Sequence, residues 1–98
     1  MPYLILTTDK PDSLARRNAL RAAHLEYLDR HRHRLLAAGA LLNDDGSGGH
    51  GGAILLDTDA RQEAEDFIAH DPFALGGLFE STTLTRWRKA YFNGERLV

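Results

Sequence analysis

One face of a long helix predicted in the first half of the chain carries side chains suited to acid–base chemistry. When residues are placed at 100° intervals from Leu20, Arg21, His24 and His31 fall among leucines, and Arg17 points the same way. A polar side chain on an apolar helix face costs free energy unless it is paired. Imidazole exchanges protons near neutral pH, and guanidinium binds carboxylates and phenolates. This face is therefore predicted to border a cavity or to contain internal hydrogen bonds.

Two titratable residues, His24 on that helix and Asp71 before Pro72, are the main candidates for a reactive site. Each has a purely structural alternative. A single histidine on an apolar face is often a core residue bonded to a backbone carbonyl. An Asp-Pro pair commonly caps the start of a helix. Capping and catalysis are compatible roles, so both interpretations of Asp71 stay open.

Other glycine-rich and histidine-rich segments carry weaker signals. Residues 46–52 lack the Lys-Ser/Thr ending of a phosphate-binding loop and lie between two predicted strands. We expect a mobile hairpin loop there, from which His50 reaches over a pocket as a lid residue. His31 and His33 lie on different helix faces, so we expect no metal site. Because the chain has no cysteine, thiolate metal sites and iron–sulfur clusters are excluded, and no cofactor is expected.

Length and composition bound the class of protein. With 98 residues, 43% hydrophobic and 27% charged, the chain is expected to form one domain over residues 1–98. Twelve Lys and Arg against fourteen Asp and Glu leave a net charge of −2, which disfavours nucleic acid as a partner. No apolar run approaches the roughly 18 residues of a membrane span. No signal peptide is visible, so a cytoplasmic location is expected.

The predicted elements alternate in the order β-α-β-β-α-β. They are a strand at 3–8, a helix at 14–38, strands at 40–42 and 53–56, a helix at 60–70, a short helical turn after 71, and a strand at 78–87. This order indicates an α+β, ferredoxin-like protomer, with a four-stranded antiparallel sheet and two helices on one face. The other sheet face stays uncovered although the strands supply apolar residues to both sides. We therefore expect a homodimer with the sheets face to face.

Several segments then carry a family resemblance. They are Arg-Ala-Ala-His-Leu-Glu-Tyr-Leu at 21–28, Ala-Gly-Ala-Leu at 38–41, Gly-Ala-Ile at 52–54, Asp-Pro-Phe-Ala-Leu-Gly-Gly-Leu-Phe at 71–79 and Trp-Arg at 87–88. In them the chain resembles the YciI-like (YCII-related) family over nearly its whole length. The resemblance implies a dimeric α+β barrel and a His–Asp pair in a pocket, here His24 and Asp71. A related enzyme is a dehydrochlorinase acting on a chlorinated hydroxyquinol. One departure is Arg86, where many members carry proline, which bears on the shape of the pocket rim.

These residue types favour proton abstraction followed by elimination or isomerisation of a small polar-aromatic substrate. His24 and Asp71 would form the acid/base pair, because a carboxylate on one imidazole nitrogen leaves the other as an acceptor. Arg21 would hold a developing oxyanion or a substrate anion, and His50 and Phe73 are further predicted substrate contacts. The alternatives are a non-catalytic small-molecule-binding or regulatory dimer using the same pocket, and an interaction module. A free imidazole nitrogen facing the pocket distinguishes catalysis from binding.

Overall fold

The computed structural model describes all residues, 1–98, and the elements follow the predicted order. They are β1 (Tyr3–Asp9), α1 (Leu14–Arg30), a 3-10 turn (Arg32–Arg34), β2 (Leu35–Leu41), β3 (Gly51–Leu56), α2 (Arg61–Ala69), α3 (Pro72–Leu75), β4 (Phe79–Arg86), β5 (Tyr91–Phe92) and β6 (Glu95–Arg96). The first four strands form one antiparallel sheet in the order β2-β3-β1-β4. None of the helices combines the length and apolarity needed to cross a bilayer.

Alternation along β1 decides which sheet face the helices cover. Tyr3, Ile5, Thr7 and Asp9 are buried, whereas Leu6 on the other face is 40% exposed. The core joins residues of the covered face to side chains from both long helices, and consists of Tyr3, Ile5, Tyr27, Ile54, Leu56, Ala64, Phe67 and Ile68. Both helices therefore lie on one face of the sheet, which confirms the predicted arrangement.

The first helix is shorter than predicted. It ends at Arg30 rather than at residue 38, and Leu35–Leu41 forms the edge strand β2. The helix prediction over 31–38 was wrong because residues 32–34 form a 3-10 turn and the chain from Leu35 onward pairs with β3, from Leu35 opposite Leu56 to Leu41 opposite Gly51. Strand pairing satisfies the backbone groups of this segment and overrides its intrinsic helix propensity. Gly39, the residue that follows the predicted helix, thus lies in the middle of a strand.

The short helix α3 begins as its sequence predicts. Asp71 is the N-cap and Pro72 occupies the first turn, where its missing N–H costs nothing. The Asp71 side chain accepts a hydrogen bond from the backbone N–H of Phe73 at 2.9 Å. The cap fixes α3 beside α1, the helix against which α3 packs.

Residues after β4 form a small hairpin of their own. Strands β5 and β6 pair through Tyr91 opposite Arg96 and Phe92 opposite Glu95. Asn93 and Gly94 connect them with φ of 53° and 79°, as in the turns that suit two-residue hairpins. This hairpin forms a two-stranded sheet separate from the four-stranded one.

Candidate active site

A cavity of about 450 Å³ lies between α1 and the covered face of the sheet. Its α1 side carries the polar groups, with Arg17, Arg21 and His24 among them. Its sheet side includes Ala38 and Ala40 of β2. Helix α1 packs mainly on α3 and so leaves the inner face of β2 open. The cavity thus lies between α1 and the small side chains of β2.

His24 and Asp71 meet at one end of this cavity. The His24 Nδ1 atom lies 2.8 Å from Asp71 Oδ1 and 2.9 Å from Oδ2. Asp71 is completely buried, and its Oδ1 also accepts the Phe73 N–H of the helix cap. One carboxylate thus both caps α3 and binds the imidazole of His24. A buried carboxylate needs such donors to offset the loss of solvation.

The contacts of His24 assign its tautomer. A carboxylate only accepts hydrogen bonds, so Nδ1 carries the proton and donates to Asp71. In the neutral ring the Nε2 atom is then an acceptor, and it has no hydrogen-bond partner within the chain. His24 lines the cavity with its side chain 14% exposed. The condition that separates a catalytic imidazole from a structural one, a free nitrogen beside a pocket, is therefore met geometrically.

Phe73 stacks on His24 and is itself covered by a cation. The His24 and Phe73 ring centroids are 3.9 Å apart, with 12° between their planes. The Arg17 guanidinium carbon lies 4.8 Å from the Phe73 centroid. Because the imidazole covers one face of the phenyl ring, the guanidinium lies over the other. Phe73 is only 3% exposed, but it also lines the cavity and meets Phe79 edge to face, with 6.1 Å between the ring centroids.

A buried ion pair between Arg17 and Asp9 was not predicted as part of the site. Arg17 Nη1 donates to Asp9 Oδ2 at 2.8 Å, and Nη2 donates to the Gly51 carbonyl at 3.1 Å. The Asp9 Oδ1 atom is buried without a hydrogen-bond partner. Two signals could have found the pair: Arg17 lies seven residues before His24, on the same helix face, and Asp9 continues the odd-numbered buried positions of β1.

The other predicted site residues divide between the cavity and its surroundings. Arg21 is exposed and lines the cavity. His50 does not line it, but lies at a separate depression bordered by Asp9 and Asn43. The backbone of His50 is tied to Leu41 and to Asp9, and this extension of the strand ladder holds the residue away from His24. The structure thus places Arg21 in the same cavity as His24 and Asp71 and leaves His50 outside.

His31, the other histidine predicted on the α1 face, is the C-cap of α1 and packs against Phe67 of α2, away from the cavity. Its ring lies 4.8 Å from Tyr27 and 5.6 Å from Phe67, centroid to centroid. Burial, together with neighbouring cations of which Arg34 is the largest contributor, lowers the pKa of His31 below its ordinary value. No group of three or more His, Asp or Glu side chains is arranged to hold a metal ion.

Arg86, the departure from the family pattern, does not border the cavity. Its guanidinium donates to the Tyr3 hydroxyl at 2.8 Å and to the Asp59 carbonyl at 3.3 Å. These contacts secure the end of β4 against β1. The substitution of arginine for proline therefore changes the edge of the sheet and leaves the lining of the cavity untouched.

Comparison with known proteins identifies the family to which this chain belongs. The model of the YCII-related domain family matches residues 1–88. The chain belongs to the YCII-related family. Among its relatives, Protein YciI of Escherichia coli O6:H1 (strain CFT073) is 31% identical over 98 residues, covering 93% of this chain and all of the relative. A protein of Haemophilus influenzae is 29% identical over the same shares of the two chains.

A solved structure extends the family assignment to the fold. It is 5-chloro-2-hydroxyhydroquinone dehydrochlorinase (TftG) of Burkholderia phenoliruptrix AC1100, in complex with 2,5-dihydroxybenzoquinone. It shares 32% identity with this YCII-related chain and superposes with a TM-score of 0.83, over 90% of this chain and 94% of its own. The resemblance and the protomer fold of the dimeric α+β barrel class are thereby confirmed.

Proposed function

We propose that this YCII-related protein is an enzyme of lyase or isomerase type in which His24 and Asp71 form the acid/base pair. One observation carries the proposal: His24 Nε2 has no protein partner beside the cavity, while Nδ1 donates to a fully buried carboxylate. Asp71 orients the imidazole and stabilises the imidazolium that forms when Nε2 takes a proton. Proton transfer by a positioned side chain of this kind accelerates reactions by about 10²–10⁴-fold.

The proposed step is an elimination or its isomerisation counterpart. Nε2 of His24 takes a proton from a substrate O–H or C–H group, and the electron pair of that bond moves into the substrate to form a new π bond. In an elimination the leaving group departs with the electron pair of its own bond, as a halide does. In an isomerisation the proton returns at another atom. Arg21, exposed at the cavity wall, stabilises the negative charge that develops on a substrate oxygen.

The substrate class follows from the division of the cavity walls. Polar groups lie along α1, and apolar residues such as Ile54 and Phe79 line the opposite side. A volume of about 450 Å³ admits one substituted aromatic ring, since ligand cavities start at roughly 300 Å³. A small polar-aromatic compound fits both features. The dehydrochlorinase, crystallised with a dihydroxybenzoquinone, supports this class by similarity at 32% identity.

A substrate screen with matched histidine variants tests the proposal. The protein is incubated with 5-chloro-2-hydroxyhydroquinone and other halogenated hydroxyarenes, and halide release is measured. His24→Ala is expected to lower turnover by about 10²–10⁴-fold. His33→Ala, at an exposed histidine outside the cavity, is the control and is expected to keep full turnover. Equal turnover by wild type and His24→Ala would refute the proposed role of His24.

The second candidate, a non-catalytic binding or regulatory dimer, uses the same cavity and predicts a different result. It is favoured by the open access to the cavity along Ala38 and Ala40. Wild-type protein would then bind 2,5-dihydroxybenzoquinone, measured by calorimetry, but release no halide from any compound of the screen. That combination would replace the enzymatic proposal with this one.

We also propose that the protein assembles as a homodimer through the uncovered sheet face. Leu4 and Leu6 of β1 and Ala53 and Leu55 of β3 alternate onto that face, since paired residues in the antiparallel register share a side. Removing an apolar sheet face from water is favourable in proportion to the area that is buried. A second copy offers the same apolar surface and so completes the structure by symmetry.

A further inference from the structure

We propose that Phe73 is a positioning residue for His24, and that Arg17, itself fixed by Asp9, holds the Phe73 ring in place. This role is distinct from the expected substrate contact of Phe73, which lines the cavity. Both faces of the phenyl ring are occupied, by the imidazole at 3.9 Å and by the guanidinium at 4.8 Å. The side chain is 3% exposed and lines the cavity, so with both faces occupied only the ring edge is left to meet a ligand.

The stack supplies a restraint that the hydrogen bond to Asp71 lacks. A hydrogen bond tolerates deviations of roughly 30° from linearity, so Nδ1 alone leaves the imidazole free to pivot about its bond to Cβ. A phenyl ring stacked at 12° removes that freedom, because tilting the imidazole would separate or overlap the two rings. The direction of the His24 Nε2 lone pair into the cavity is then set by Phe73 and Asp71 together.

The Asp-Pro-Phe spacing builds both restraints at once. Asp71 is the N-cap of α3, and its Oδ1 accepts the Phe73 N–H at 2.9 Å and lies 2.8 Å from His24 Nδ1. The carboxylate that orients the imidazole edge therefore also fixes the backbone of the residue that covers the imidazole face. Pro72 between them restricts φ, which preorganises this turn. We call Asp71, Pro72 and Phe73 the clamp of His24, because together they fix the edge and one face of its imidazole.

Arg17 completes the clamp from the far side of the ring. Its guanidinium is immobilised by Asp9 at 2.8 Å and by the Gly51 carbonyl at 3.1 Å, with the Arg17 side chain only 10% exposed. Arg17 and His24 lie two turns apart on α1, which leaves the space of one aromatic ring between their side chains. The ion pair thus links the end of β1 to the orientation of the imidazole without contacting it.

The test reads the imidazole directly by nitrogen-15 NMR of histidine-labelled protein, without substrate. In wild type we expect neutral His24 as a single tautomer with the proton on Nδ1. In Phe73→Leu we expect averaging with the other tautomer. We also expect the Nδ1 proton to exchange with water roughly three- to tenfold faster, which is the rate change that corresponds to the free energy of one aromatic pair. The control is Phe67→Leu, which removes an equally buried phenyl ring from the core away from the cavity. It is expected to keep the wild-type signals.

Wild-type tautomer and exchange rate in Phe73→Leu would overturn the proposal. If that variant does not fold, Phe73→Met fills more of the same volume without a flat ring and is read in the same way. Arg17→Lys keeps the charge opposite Asp9 but loses the planar face, and we expect intermediate exchange. Wild-type exchange in Arg17→Lys would remove Arg17 from the clamp.

The consequence for turnover rests on the proposed function, whereas the NMR signature does not. In an active assay, Phe73→Leu is expected to lower kcat with little change in KM, because both ring faces are covered and the main effect of the ring is to orient the base. A raised KM with unchanged kcat would instead restore Phe73 as a binding residue. Altered NMR signals in Phe73→Leu, together with no turnover by the wild type on any compound of the screen, would refute the catalytic role of His24 and leave the clamp intact.

Discussion

Asp71 is the residue at which helix capping and the chemistry of the cavity are joined. Its Oδ1 accepts a hydrogen bond from the Phe73 N–H, and both carboxylate oxygens lie within hydrogen-bond distance of His24 Nδ1. A neutral amide can replace the first function but not the second. Asparagine caps helices about as well as aspartate, yet it carries only one acceptor oxygen.

Asp71→Asn is therefore expected to separate folding from catalysis. With its oxygen on the Phe73 N–H, the amide nitrogen of the variant donates to His24 Nδ1, which moves the imidazole proton to Nε2 and removes the base. We expect a change of about 1 kcal/mol or less in the free energy of unfolding and a fall of about 10²–10⁴-fold in turnover. Urea denaturation and the halide-release assay measure the two effects. Full turnover in Asp71→Asn would show that Asp71 is only a cap.

At the scale of elements, the close approach of β1 and β3 depends on a glycine. A Cβ atom added at Gly51 would lie 2.2 Å from the Thr7 carbonyl oxygen, which is backbone and cannot move without distorting the ladder. The same glycine offers its carbonyl to Arg17. Gly51 thus connects the strand pairing to the buried ion pair.

Gly51→Ala is expected to lower the free energy of unfolding by about 1–3 kcal/mol, as overpacking does elsewhere. Gly39→Ala is the matched control, because a Cβ added at that strand position meets nothing within 4 Å. Its expected change is within about 0.5 kcal/mol of zero. Thermal and urea unfolding of both variants measure the difference. Equal stability of the two variants would contradict the predicted backbone clash.

The end of α1 carries a pH-dependent contribution to stability at His31. Burial and the nearby cations Arg34, His33 and Arg30 lower the pKa of this imidazole below its ordinary value of 6.5. The unfolded chain therefore binds this proton at higher pH than the folded chain does. The contribution of His31 to the free energy of unfolding is therefore fully present above pH 6.5 and is lost as the pH decreases through that value toward the folded pKa.

His31→Gln removes this titration and should flatten the pH dependence. We expect the urea midpoint to fall less between about pH 8 and about pH 5 in the variant than in wild type. The other histidines are common to both proteins, so the comparison isolates His31. An identical decrease in the two proteins would exclude this contribution.

At the scale of the whole molecule, the uncovered sheet face predicts assembly. Leu6, 40% exposed in the single chain, lies on that face. We expect wild type to scatter light as a dimer of twice 10.9 kDa, with an interface of roughly 1,200–2,000 Å². Leu6→Glu is expected to weaken the dimer by placing a charge in its interface.

Leu75→Glu is the control for that experiment. Leu75 is 70% exposed on α3, on the helix side of the sheet, so its substitution leaves the proposed interface unchanged. We expect this variant to remain dimeric. A wild-type mass of 10.9 kDa at micromolar concentration would contradict dimerisation, and dissociation of Leu75→Glu would move the interface to the helices.

The sequence by itself determined the order of elements, the cap at Asp71 and the helix face that carries His24. These features are encoded locally, by alternation, turn residues and helical spacing. The order of elements predicts both helices on one face of the sheet, and with the family resemblance this was enough to predict that His24 and Asp71 meet. In the structure His24 Nδ1 lies 2.8 Å from Asp71 Oδ1. Side chains two turns apart on one helix also keep their relation whatever surrounds them, which is why Arg17 was already placed on the same face.

Only the tertiary structure decided where α1 ends, what Arg17 binds and which residues surround the cavity. Residues 31–38 have helical propensity, but pairing of Leu35–Leu41 with β3 turns part of them into a strand. The partner of Arg17 is Asp9, from another element, and the same ladder that extends β3 withdraws His50 from the site. Each outcome depends on contacts between residues distant in sequence, whose free energy exceeds the small local preferences of the chain.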